Sequence, residues 1–261
     1  MQNGAHQEIA RLLASKNPDD LRVGLDLVKE ELARADSKDA RALFEIVSAI
    51  FYIDALDNPQ FLPIIEEAIN LVAGFGDWVI PVLIENLDTG DLKAQLAIAQ
   101  ALGMIGADAI DPLIAQYRTL EDPSRRAFVV YAIGKIKSPQ IARAVPLALE
   151  SARSQDRELR DTATRAIGKL AESIEPGKWP QPARDQCVNV LTASLADTNS
   201  GIRAKAIRSL GKMAKFEHLH DAEKKKLETV CLRLLGKDEH FEWDRAYIVR
   251  KEAELALSSC R

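Results

Sequence analysis

Four cations stand out for their spacing. Arg165 and Lys169 lie four residues apart, and Arg208 and Lys212 repeat the pair 43 residues later. On a helix, residues four apart share a face and sit about 6 Å from one another. Two such helices side by side, about 10 Å apart, gather the four charges into one patch. Lys205 lies nearby and Asp161 only flanks it. The chemistry open to such a patch is recognition of anions, either a partner's carboxylates or the phosphates of nucleic acid. No P-loop, GxGxxG, HExxH or GxSxG pattern occurs, so no catalytic residue and no cofactor is assigned. His218 and His220, with Asp221, fall in one apparent loop, and His240, with Glu242 and Asp244, in another. Histidine and carboxylate suit zinc or iron. Solvated loop side chains are the simpler reading, and no metal is expected. Cys187, Cys231 and Cys260 make an odd count without a CxxC, which reads as reduced core thiols in a cytoplasmic protein.

The helix that must position Arg165 and Lys169 is Asp156 to Leu170, and it recurs. With Gly168 as a ruler, equivalent positions are Gly103, Gly134, Gly211 and Ser258, in steps of 31, 34, 43 and 47. Five before the ruler come Ile98, Val129, Ala163, Ala206 and Ala253. One and two before are again apolar or small throughout, as in Ala166 and Ile167. Two after come Ile105, Ile136, Leu170, Met213 and Cys260. These positions lie on one arc at helical spacing. Each copy follows a first helix and a polar turn such as DTGD or DTNS. Helix pairs of this period predict an all-α, right-handed α-solenoid of stacked hairpins in a single continuous superhelix. The five repeats are expected at about 77–106, 107–137, 138–175, 176–217 and 218–261. The longer steps come from insertions at 175–182, 216–221 and after Lys237.

Residues 1–76 lack the template. Asn17-Pro18 and Asn58-Pro59 read as helix starts, with cap and first-turn proline, and Ser37 or Asp36 as a third. These four helices are expected to form degenerate hairpins capping the N-terminal end, the first over about 5–15 and the third reaching about Asp54. Charge is uneven. Residues 1–90 hold seven Lys and Arg against sixteen Asp and Glu, while the rest holds 28 against 23. The opening residues lack a basic leader, and no run of about 18 apolar residues appears, so neither export nor a membrane span is expected.

The proline in the first helix, the aspartate at the turn, and an arginine followed by the A-[IL]-G ending resemble the HEAT-repeat family. They are especially similar to the short bacterial HEAT-like repeats first noted in phycobilin lyases. The resemblance implies a ladder of contacts between turn aspartates and second-helix arginines, here Arg126, Arg160, Arg203 and Arg250. Gln95 breaks it in the first repeat. It also implies that second helices line a concave side. The arc opposite the buried one then carries Leu96, Ala97, Gln100 and Met104, and next Ala127, Phe128, Tyr131 and Lys135. Asp161, Thr162, Arg165 and Lys169 follow, then Ala204, Lys205, Arg208 and Lys212. That face runs from apolar and aromatic to cationic. It points to a non-catalytic scaffold binding a protein, an acidic segment with an apolar anchor. The alternative is a nucleic-acid binder using the basic groove. The acidic total charge of −4 and the few aromatics beside the cations argue against it. Family resemblance alone suggests a third role, a lyase-like or cofactor-insertion helper.

Overall fold

The computed structural model describes residues 2–239 and 242–260. His240 therefore lies outside the described residues. The chain divides into two compact units, residues 1–112 and 113–261. This division differs from the change of sequence pattern expected at 76/77.

The first unit holds α1 (Gln2–Leu13), α2 (Pro18–Leu32), α3 (Ser37–Ser48), α4 (Leu62–Ala73), α5 (Val79–Asn86) and α6 (Leu92–Ile105). Three of these starts are set by side-chain caps. Asn17 accepts from the Asp19 amide, Asp36 from Lys38 and Asp39, and Asp91 from Lys93 and Ala94. α3 ends at Ser48 and continues only as a 3-10 turn to Tyr52, short of the expected Asp54. α4 packs between α2 and α6, and α5 packs on α6. Leu21, Leu25, Leu43, Ile64, Leu83 and Leu102 fill this core. The most apolar stretch, Leu92–Thr119, has a mean hydropathy of 1.3 over its best window. It is not one helix: α6 stops at Gly106, whose φ of +84° belongs to the left-handed region.

Beyond it come α7 (Ile110–Thr119), α8 (Pro123–Ile133), α9 (Val145–Ala152), α10 (Arg157–Ser173), α11 (Gln181–Ser194), α12 (Ser200–Lys215), α13 (Asp221–Leu234) and α14 (Tyr247–Cys260). α9 is short because residues 139–144, just before it, form a 3-10 turn. Pro146 lacks an amide hydrogen and tolerates only the first turn of an α-helix. In the second unit α9 pairs with α10, α11 with α12 and α13 with α14 as hairpins. The second helices form one layer, α8 on α10, α10 on α12 and α12 on α14, and α9 meets α11 in the other. The fold is thus all-α, a stack of HEAT-like hairpins.

The ruler glycine has a packing cause. A Cβ at Gly168 would lie 2.8 Å from Ser209 Cβ, and one at Gly211 would lie 3.1 Å from Ala256 Cβ. Ser209 and Ala256 are the residues two before the ruler in the next repeat. The A-[IL]-G ending is therefore the crossing point of adjacent second helices: a glycine in one repeat receives a small residue of the next. Gly134 is looser, since its Cβ would meet Ala166 Cα at 3.7 Å. Glycine costs about 1 kcal/mol against alanine in a helix, and overpacking costs about 1–3 kcal/mol. Gly134→Ala is therefore expected to raise the denaturant midpoint slightly, whereas Gly168→Ala lowers it. Equal effects from the two variants would mean that the crossing does not constrain the repeat.

Candidate functional site

Two ladders of polar contacts run along the second unit. The first holds the turns. Each arginine eight before the ruler reaches back to the carbonyl six residues earlier. Arg126 donates to Leu120 O at 2.8 Å, Arg160 to Ser154 O at 2.9 Å, Arg203 to Asp197 O at 2.9 Å and Arg250 to Asp244 O at 2.7 Å. Two of them also reach forward to the next turn. Arg160 Nε donates to Asp197 Oδ2 at 2.7 Å, and Arg203 grips Asp244 with two bonds of 2.8 and 2.9 Å. Burial works against the Asp197 and Asp244 carboxylates, yet the arginine hydrogen bonds and backbone amides hold both below the usual carboxylate range. Arg126 departs from the pattern by lying 3.6 Å from Glu150 instead of a turn aspartate. Gln95 does not simply break the ladder. It is buried and donates to Leu87 O at 2.9 Å, so it secures its own turn without a charge.

The second ladder lies on the exposed side of the second helices and corrects the expected electrostatics. Carboxylates do stand among the cations. Glu172 accepts from Lys169 at 3.0 Å and from Lys212 at 2.6 Å. Lys205 is paired with Asp161, and Arg208 holds Glu252 through both Nε and Nη2. Glu252 is 2% exposed. Burial pushes the Lys212 ammonium below its ordinary value, though Glu172 opposes that. Lys205, Arg208 and Lys212 of α12 are thus tied to α10 on one side and α14 on the other.

One part of the expected face keeps its charge. The Lys135 ammonium lies 4.9 Å from the Tyr131 ring centre and the Arg165 guanidinium 5.9 Å from it. Among the described residues neither makes an ion pair. Arg165 is exposed, and Phe128, Tyr131 and Lys135 are half-buried. In the first unit Leu96 and Met104 are exposed on α6, 38% and 49%, with half-buried Gln100 between them. Ala97, Ala127 and Ala204 are buried, contrary to the expected arc. The columns six and seven before the ruler lie at its edge, where a neighbouring helix covers a small side chain.

The loop residues also differ from expectation. His218 and Trp179 are buried, not solvated, and pack edge to face with ring centres 5.2 Å apart. His218 Nε2 sits 3.0 Å from Ala171 O. Arg184, also buried, donates to His218 O at 2.6 Å and forms an ion pair with Glu223. The insertions at 175–182 and 216–221 therefore pack together. His220 stays exposed at the start of α13, where its amide donates to Glu223 at 2.8 Å. Among the described residues no group of three His, Cys, Asp or Glu side chains is placed to hold a metal. The three thiols are free. Burial pushes Cys187 and Cys231 up to about 12, so they are not nucleophiles at neutral pH.

Comparison with known proteins agrees with this architecture. A family model described as PBS lyase HEAT-like repeat matches residues 94–117, from α6 into α7. A chain of the complex of CpcE and CpcF of phycocyanin lyase from Nostoc sp. PCC7120 superposes with a TM-score of 0.56 at 22% identity, covering 69% of this chain and 99% of that one. Two engineered proteins, each 18% identical over 98% of this chain, give TM-scores of 0.51 and 0.50 and are covered over 78% and 96% of their own lengths. At these identities the likeness speaks for the fold. No curated protein matches the chain by sequence.

The ladders and the loop core yield two expectations. Arg203→Ala leaves the Asp244 carboxylate, 8% exposed, without its partner. Breaking a buried pair costs about 3–5 kcal/mol, which chemical denaturation would read directly; a loss below about 1 kcal/mol would sink the ladder's structural role. Burial holds His218 below its ordinary value of 6.5, despite its bonds to backbone carbonyls. The folded state then binds fewer protons than the unfolded chain, so this contribution is complete above about pH 6.5 and declines as pH falls below it. The melting temperature should drop from pH 7 to pH 5, and His218→Gln should flatten that slope whatever its own midpoint.

Proposed function

We propose that the protein is a non-catalytic HEAT-like scaffold that binds a protein partner along its second-helix face. The partner presents an acidic segment with an apolar anchor. The observation that carries this reading is the Tyr131, Lys135 and Arg165 cluster, where two cations flank an aromatic ring without carboxylate partners. Nearby, Lys169, Lys205, Arg208 and Lys212 are tied to carboxylates and serve as its frame. Phe128 is the candidate apolar neighbour of the cluster. Leu96, Gln100 and Met104 on α6 form a separate candidate contact stripe. Free thiols suit a reducing compartment, and we place the protein in the cytoplasm. The neutralised cations of α12 weigh against a phosphate-tracking groove, which needs clustered charge.

The test is affinity capture from a native lysate, with and without nuclease. Lys135→Glu with Arg165→Glu should abolish capture of the specific partner at unchanged helicity and melting temperature. Tyr131→Ala should weaken it with little change in salt dependence. Arg208→Glu is not a clean probe, because it buries Glu252 against a second carboxylate and threatens the fold. Capture that is unaffected by the double reversal would remove this face as the binding surface, and capture that depends on intact nucleic acid would favour the basic-groove alternative.

A further inference from the structure

Beyond the neutralised cations of α12 lies a second positive site. A groove of about 370 Å³ opens between α12 and α14. Its floor is the close crossing of Gly211 on Ala256, where the glycine lets the two helices approach, with Leu255 beside it. Leu255 is 57% exposed. Its walls carry Arg208, Lys212, Lys215 and Lys251 against the single carboxylate of Glu252. Arg208 is spent on Glu252 and Lys212 on Glu172. Lys215 and Lys251 are exposed, and among the described residues neither makes an ion pair. Lys215 lies only over the Phe216 ring, at 5.7 Å.

We propose that this groove is a second binding site for an acidic peptide segment, with its carboxylates held by Lys215 and Lys251 and an apolar side chain seated on Leu255 and Ala256. Charge selects this occupant. Two unneutralised ammonium groups over an apolar floor favour carboxylates carried beside an aliphatic side chain. The groove contributes no exposed aromatic on which a base would stack, as a nucleic-acid strand would require. The inference deepens the proposed function and rests on it. The seam of α8 and α10, which holds Tyr131, lies two interhelical spacings from the seam of α12 and α14, about 16–20 Å. An extended chain covers that distance in about six residues. One partner segment with two acidic clusters six residues apart therefore engages both sites.

The experiment uses the full chain and fluorescence polarisation with a labelled twelve-residue peptide of glutamates carrying leucine at two positions six apart. Lys215→Glu with Lys251→Glu should raise its Kd at least tenfold at unchanged melting temperature, and Leu255→Asp should raise it several-fold. Lys135→Glu with Arg165→Glu should have a comparable effect. A six-residue probe with one leucine should bind more weakly and lose the additivity of the two double variants. If only the Lys135 and Arg165 reversal weakens the long probe, the groove is not a site and the proposed function stands. If neither reversal matters, both fall. A duplex oligonucleotide that displaces the peptide with steep salt dependence overturns the choice of an acidic peptide.

Discussion

The second unit depends on one repeated contact, an arginine that binds its own turn and the next. Arg160 and Arg203 each donate to carbonyls of the preceding turn and to an aspartate of the following one. A turn between antiparallel helices leaves carbonyls at the end of the first helix without partners. The guanidinium satisfies them with a planar set of donors. Its remaining donors then fix the neighbouring turn at hydrogen-bond range. Local chain reversal and the stacking of repeats are thereby coupled through one side chain. Asp197 shows the economy of this arrangement: its carboxylate accepts from Arg160, while its backbone carbonyl accepts from Arg203.

With the turns fixed, the second helices must cross at one height. That height is where glycine and small residues recur, which explains why the strongest repeat signal in the chain is apolar and small. The same geometry brings the outer columns of adjacent helices within ion-pair range. Asp161 meets Lys205, Glu172 meets Lys212, and Glu252 meets Arg208. Charge on this face is consequently used mostly for cohesion between repeats. Among the described residues, cations without ion pairs remain at two seams, Lys135 and Arg165 around Tyr131 and Lys215 and Lys251 between α12 and α14.

The architecture was legible in the sequence because stacking imposes a period, and a period survives divergence. The ruler, the buried arc and the arginine column could all be aligned from spacing alone. The carboxylates could not. Glu252 stands six before its ruler, Asp161 seven before and Glu172 four after, so each pairs with a cation in a different column of another repeat. Reading one column at a time shows Arg165, Lys169, Arg208 and Lys212 as a bare patch. Two of them are neutralised by contacts that run diagonally between repeats, Lys212 to Glu172 and Arg208 to Glu252, and Lys169 shares Glu172 within its own helix. Lys215, Lys251 and Leu255 do not stand out together in the sequence for the converse reason: their groove is defined by the crossing of two helices, not by any spacing within one.

The insertions make the same point for loops. Residues 175–182 and 216–221 contain proline, glycine and histidine, a composition that reads as solvated connection. Yet Trp179 and His218 are buried against each other, and Arg184 reaches the backbone of one loop and the first turn of α13. Each insertion alone is too short to bury its own side chains. Together they form a small core at the edge of the stack, which is why two longer steps can be absorbed without disturbing the helix crossings. A lone histidine in such a loop is thus better explained by a packing partner in another insertion than by a metal. The signal that could have found it is the tryptophan 39 residues earlier, a residue too large to leave in water without a reason.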